Sequence, residues 1–221
     1  MNEGLLVIAF DDGYDTDYTV AFAEMQSRGV VGTSYINGLY IRMGFENRLN
    51  VAQINEMIIG GWDFQCHAWG HLNLSTISEM TIHREFFKNI DFFASNGWAK
   101  PLHHAYPIGA YNDLARSVLK KYYKSGRKGL FVSSESLQGY TVTDFSLLNA
   151  MDSQITTQEQ LDNLKTILDQ TITENKIMMP YWHHLTGDKL TYFLAFLDYA
   201  KSTGVRFVTH SEMYNLLVAN Q

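Results

Sequence analysis

Short unbroken apolar runs alternate with longer stretches of helical period along the whole chain. Residues 4–10 read as a buried strand. Residues 17–28 read as a helix that stops at Gly29, and 30–36 as the next strand. Asn50 caps a predicted helix through Ile59, ended by Gly60-Gly61. Residues 62–66 are a third strand. Ser78 opens a long helix to about Asn96, with Gly97 after it, and 102–106 is a strand that ends at Pro107. Asn112 caps a helix to about Lys124, and 130–133 and 145–149 are short strand candidates. Thr157 to Gln160 has the spacing of a capping box that opens a helix to about Thr173. Residues 177–182 are a strand, Asp188 opens a helix through Lys201, 205–208 is the last strand, and Ser211 caps the last helix. About seven strand–helix units with short connections predict parallel strands. No linker, low-complexity segment or repeat interrupts them. The expectation is one α/β unit over residues 1–221. In a barrel of this kind the active site lies at the C-terminal ends of the strands.

The polar candidates fall at those ends. Asp11-Asp12-Gly13 follows the first apolar run. Adjacent side chains of an extended segment point in different directions, so the two carboxylates are fitted for two tasks. One binds a cation and the other acts as a base on water. His67-Ala68-Trp69-Gly70-His71 follows the third strand. On a helical turn that spacing puts both imidazoles on one side. Two imidazoles and one carboxylate suit a borderline divalent ion, Zn²⁺ first and Co²⁺ or Ni²⁺ after it, with positions left open for water. Asp63 is a candidate partner for a ligand imidazole or a member of a plain loop ion pair. His183 and His184 follow the strand at 177–182. Tyr106, Tyr111, Tyr181 and Trp182 are candidates for the walls of a sugar groove, with Trp182 favoured because it adjoins His183. Cys66 reads as a buried strand residue pointing away from His67. His83 reads as an exposed helix residue and His210 as a loop residue.

Four ordered motifs resemble those of the polysaccharide deacetylase family. Ala9-Phe10-Asp11-Asp12-Gly13 is similar to its first motif and His67-Ala68-Trp69-Gly70-His71 to its second. Tyr106-Pro107-Ile108-Gly109-Ala110-Tyr111-Asn112 is similar to part of its third, and Tyr181-Trp182-His183 to its last. The resemblance implies a distorted (β/α) barrel of about seven parallel strands and metal-dependent removal of N- or O-acetyl groups from sugars. It implies Asp11 as general base, Asp12, His67 and His71 as metal ligands, and His183 as general acid. It also implies the backbone N–H of Ile108 as an oxyanion donor, with Tyr106 and Pro107 beside the substrate.

Two positions depart from the family pattern. The third motif usually carries an Arg two residues before its Pro, paired with the base. Here that slot is Ala105, preceded by His103-His104. Without the Arg, the Asp11 pKa is expected to lie higher than in the usual arrangement, with His103 compensating from the same strand face. The family's fourth motif supplies an Asp that tunes the acid histidine, and only Asp152 stands near its place.

Composition narrows the partners. A net charge of −6 with no basic run longer than Lys120-Lys121 argues against a nucleic-acid footprint. The single cysteine excludes an internal disulfide. No apolar run reaches membrane-spanning length. Met1-Asn2-Glu3-Gly4 has no basic region or cleavage site, so no signal peptide is visible and the location stays open. The expected function is deacetylation of an N-acetylated glycan. The alternatives are hydrolysis of another amide, or a catalytically silent barrel that binds glycan.

Overall fold

A computed structural model describes residues 2–221; Met1, at the head of the opening segment, lies outside the described residues. Seven parallel strands close into a barrel: β2 (Ala9–Asp11), β3 (Thr33–Ile36), β4 (Asp63–Cys66), β5 (His103–Ala105), β6 (Ser125–Leu130), β7 (Leu148–Asp152) and β9 (Pro180–Trp182), with β9 pairing back to β2. The expected barrel is therefore the observed one. Three short strands, β1 (Leu5–Leu6), β8 (Ile177–Met178) and β10 (Arg206–Phe207), form a separate parallel sheet in the order β10-β1-β8. The predicted strands 4–10 and 177–182 are thus each split, their first halves in the small sheet and their second halves in the barrel.

The helices are α1 (Ala23–Ser27), α2 (Gly38–Arg42), α3 (Val51–Ile59), α4 (Glu79–Ser95), α5 (Asp113–Tyr122), α6 (Gln158–Thr173), α7 (Gly187–Thr203) and α8 (His210–Ala219). Asn50, Ser78, Asn112 and Thr157 cap α3, α4, α5 and α6 as expected, each accepting from the backbone N–H three residues on. Several boundaries differ: α7 is capped by Thr186, two residues before Asp188, and the strand expected at 130–133 lies instead at Ser125–Leu130. The predicted helix 17–28 opens as a π-helical turn over Asp17–Phe22 before α1 begins. The last helix is capped by Thr209, in a box with Glu212, and not by Ser211. Among the described residues no helix is long and apolar enough to cross a membrane.

Strand alternation decides what faces inward. Leu6, Ile8 and Phe10 pack against the helices, while Leu5, Val7 and Ala9 join an inner cluster with Tyr35, Ala105, Ala150, Met179 and Tyr181. Asp11 continues the inner series, so the period of two carries its carboxylate into the barrel. The same parity turns Trp182 outward. It is fully buried against Phe10, Phe193 and Phe196, which removes it from the predicted sugar groove and makes it a core residue.

Candidate active site

Asp11 ends β2 inside the barrel, and the chain turns at once through two left-handed residues, Asp12 at φ 73° and Gly13 at φ 62°. Gly13 takes that conformation without strain, and aspartate enters it more readily than most other residues. The turn separates the neighbouring carboxylates. Asp11 stays buried in the barrel, and Asp12 faces the loop after β4.

His67 points inward from that loop. Its Nδ1 lies 2.9 Å from the Ala105 carbonyl, so the proton belongs on Nδ1 and the Nε2 lone pair is left toward Asp12. Burial drives the His67 pKa down to about 4, against the pull of Asp11 and Asp12, which keeps the ring neutral at ordinary pH. His71 arrives differently from the expectation. Residues 67–71 are not a helical turn; Ala68 at φ 61° and His71 at φ 57° fold the loop back on itself. Buried Trp69 packs on Phe92, and the Gly70 N–H donates to Glu85 Oε2 at 2.7 Å, which anchors the loop to α4. The imidazoles still converge. Asp12 Oδ1 lies 3.6 Å from His67 Nε2 and 3.3 Å from His71 Nε2. One donor atom from each of the three residues falls within 4.8 Å of the others. Asp12 Oδ1 is buried with no hydrogen-bond partner among the described residues, an acceptor that is costly unless a cation takes it. The donor set and the orphaned oxygen fit one divalent ion.

Asp11 has a partner that the sequence did not reveal. Arg127 of β6 donates from Nη2 to Asp11 Oδ1, and both side chains are buried. The guanidinium lies between the rings of Tyr35 and Tyr181, at 4.5 Å and 4.3 Å from their centroids. Burial by itself would raise the Asp11 pKa. Arg127, with His67 and His183, outweighs burial and holds the carboxyl below its ordinary value. The expected rise is therefore overturned.

His103 is not the compensating group. It does share the inner face with Ala105, but two residues lower in the strand, roughly 6.6 Å down the barrel. There its Nδ1 meets Ser125 Oγ at 2.8 Å, and its ring lies 4.4 Å from that of His210. His210 is fully buried at the start of α8, bonded to Ser125 Oγ and to the Tyr35 hydroxyl, and is no loop residue. Asp63 also works away from the site, accepting from Gln65 and from Ser211. Cys66 points outward and is buried, as expected. His83 is half-buried and bonded to the Tyr122 hydroxyl, not free on the surface.

A cleft of about 450 Å³ opens over these groups, bordered also by Tyr106, Ile108, Asp152, Tyr181 and His183. Tyr106 is nearly all buried, with its hydroxyl donating to the Ser146 carbonyl, so it contributes an edge and no free polar group. Pro107 is buried at the start of a single 3₁₀ turn (Pro107–Gly109). That turn holds Ile108 at φ 51°, a conformation rare for a β-branched side chain, with its N–H donating to no acceptor among the described residues. His184 faces away from the cleft lining. It stacks on Tyr14 at 4.9 Å and approaches Asp15 at 3.6 Å. Asp152 borders the cleft without an ion pair to His183.

A family model described as polysaccharide deacetylase matches residues 1–124, more than half of the chain. The chain belongs to the polysaccharide deacetylase family. YxkH of Bacillus subtilis (strain 168), which carries the name of the same family, is 27% identical over 125 residues; the match covers 57% of this chain and 43% of YxkH. The chain thus spans less than half the length of that relative. A Mycobacterium smegmatis protein described as a polysaccharide deacetylase has the same fold at a TM-score of 0.76 and 12% identity, covering 99% of this chain and 92% of the other. BA3943 of Bacillus anthracis, described as a pseudoenzyme of carbohydrate esterase family four, superposes at a TM-score of 0.67 and 13% identity, with 98% of this chain and 66% of the other covered. At these identities the two structures speak for the fold alone.

Proposed function

We propose that the chain is a metal-dependent hydrolase that removes acetyl groups from an N-acetylated glycan, and that residues 1–221 act as one catalytic unit. The observation that carries this reading is the convergence of Asp12, His67 and His71 on an unpartnered carboxylate oxygen, with a second, arginine-paired carboxylate beside it. Membership of the deacetylase family supports the substrate class.

Asp12, His67 and His71 would hold the ion, most simply Zn²⁺, with Co²⁺ or Ni²⁺ also suited to the donor set. When bound, the ion supplies a water of lowered pKa and polarises the acetyl carbonyl. Asp11, ionised at neutral pH beside Arg127, takes the proton from the attacking water. The Ile108 N–H donates to the oxygen on which charge develops. His183, across the cleft, gives a proton to the departing amine, which leaves poorly as an anion. Tyr181 and Ile108 border the space for the acetylated sugar, while His103, His184 and Trp182 have no part in the chemistry.

A silent glycan-binding barrel is the second reading. It is favoured by one observation: His183 has no ion-paired carboxylate, although the family pattern supplies one. A neighbour in fold is described as a pseudoenzyme.

The test is acetate release from chito-oligosaccharides by protein purified without chelator, with metal content measured on the same sample. Release that stops with a chelator and returns with Zn²⁺ supports the first reading. Bound metal and glycan binding without turnover supports the second. Turnover of small amides alone would redirect the substrate class.

A further inference from the structure

The left-handed turn at Asp12 has a clamp. The segment 47–49 lies antiparallel to residues 13–15: Tyr14 and Arg48 form a β-bridge, the Leu49 N–H donates to the Gly13 carbonyl at 2.9 Å, and the Asp15 N–H donates to the Asn47 carbonyl at 3.1 Å. From this clip Arg48 reaches back. Its Nη1 donates to the Asp12 carbonyl at 3.0 Å and lies 3.9 Å from Asp12 Oδ2. The guanidinium carbon lies over the Tyr14 ring, 3.9 Å from its centroid, and 5.0 Å from that of Tyr40. Three contacts of different kinds therefore fix one side chain, and that side chain fixes Asp12.

The two carboxylate oxygens of Asp12 are thereby told apart. Oδ2 faces the guanidinium, and Oδ1 faces His67 and His71. A side chain held in this way offers a single oxygen to the site. The backbone carbonyl is held as well, which supports the left-handed φ of 73° at Asp12.

We propose that Arg48 is a positioning residue for the metal aspartate, which locks the Asp12 turn and carboxylate so that Oδ1 is presented to the ion. The inference rests on Asp12 being a ligand. It has a distinctive sign. On charge alone, a cation beside the site opposes a divalent ion, so its removal should tighten binding. Positioning predicts the reverse, because residues that orient a ligand are each worth about 10-fold to 100-fold in metal affinity. Lysine is a poor replacement, since a point charge on a flexible stem lacks the planar fork that bonds the carbonyl while lying on the rings.

The experiment is Zn²⁺ titration of metal-free wild-type, Arg48→Ala and Arg48→Lys proteins by calorimetry, with near-ultraviolet circular dichroism and Tm of each metal-free sample. Expected is a Kd raised at least 10-fold in Arg48→Ala and several-fold in Arg48→Lys, with the folded spectrum kept. A packing role alone would lower Tm and leave the Kd unchanged. If Arg48→Ala does not fold, Arg48→Lys carries the test, and wild-type affinity in it overturns the proposal. Equal or tighter binding in a folded Arg48→Ala also overturns it. Wild-type protein that binds no Zn²⁺ would instead overturn the metal reading on which it stands.

Discussion

Arg127 is the register partner of Ala105 across the β5–β6 ladder. The slot where the family pattern carries its arginine is thus empty on one strand, and the guanidinium enters from the adjacent position on the next. It reaches the same carboxylate, Asp11. Arg127→Ala should leave a buried charge uncompensated, at a cost of about 3–5 kcal/mol in stability, and lower the rate of acetate release by orders of magnitude. The double variant Ala105→Arg/Arg127→Ala should recover part of both. Denaturant unfolding and steady-state kinetics check this, and a double variant no better than the single would refute the equivalence of the two positions.

The neighbouring aspartates should separate in their effects. Asp12→Ala should abolish metal binding and turnover together. Asp11→Asn should keep the metal and lose most of the rate. Metal content measured beside activity decides it, and full activity in Asp11→Asn would remove Asp11 as base.

Three histidines away from the cleft are buried in neutral form. Burial drives the pKa of His103 to about 3 and those of His104 and His210 well below the ordinary value. For a histidine lowered in the folded state, the unfolded chain binds more protons below about pH 6.5. The sign follows: stability is full above that pH and falls as the medium is acidified. Each such group adds up to about 1.4 kcal/mol per pH unit to the slope below about pH 6.5, so the fall should be steeper than one proton's worth. Denaturant unfolding as a function of pH measures it, and His103→Gln should lessen the slope by one proton. A flat profile over that range would contradict the burial of these rings as neutral species.

Trp182→Phe tests the reassignment of that ring. Its indole N–H has no hydrogen-bond partner among the described residues, so the change removes volume and little else. Expected is a loss of about 1–2 kcal/mol in stability with KM for oligosaccharide unchanged. A raised KM at wild-type stability would return Trp182 to the groove.

Ile108 should tolerate glycine. The side chain is exposed and its backbone is in the left-handed region, so Ile108→Gly relieves strain of order 1–3 kcal/mol and gives back part of it as unfolded-chain entropy. Tm should rise slightly and kcat should stay within a few-fold, since the N–H is retained. Ile108→Pro removes the N–H and also forces φ to about −65° against the observed 51°, so it should break the turn and cost at least about 10² in kcat.

The first strand run was legible because it is apolar on both faces, so Leu5 to Phe10 reads as a strand by composition alone. Strand β6 shows the limit. Its sequence, Ser-Gly-Arg-Lys-Gly-Leu, carries no hydrophobic period because its inner positions hold Ser125, Gly129 and an arginine paired inside the barrel. The prediction therefore began a strand at Leu130, where the real one ends. The metal-site trio was readable from spacing, although the convergence of His67 and His71 comes from two left-handed residues and not from a helical turn. Nothing local marks Arg48 or Tyr35, whose roles depend on loops and strands brought together by the closed sheet. Parity along β9 could have corrected Trp182: if His183 and Tyr181 face the cleft, the residue between them faces the helices.

The small sheet that joins β1 to β8 and β10 also bears on how the polypeptide matures. Leu5 and Leu6 have no partners nearer than Ile177 and Arg206, and Ala9 must wait for Tyr181 to close the ring. Strand β1 therefore waits on both edges, and β2 on one, until the strands about 170 to 200 residues further along are made, a high contact order that favours slow acquisition of the native state.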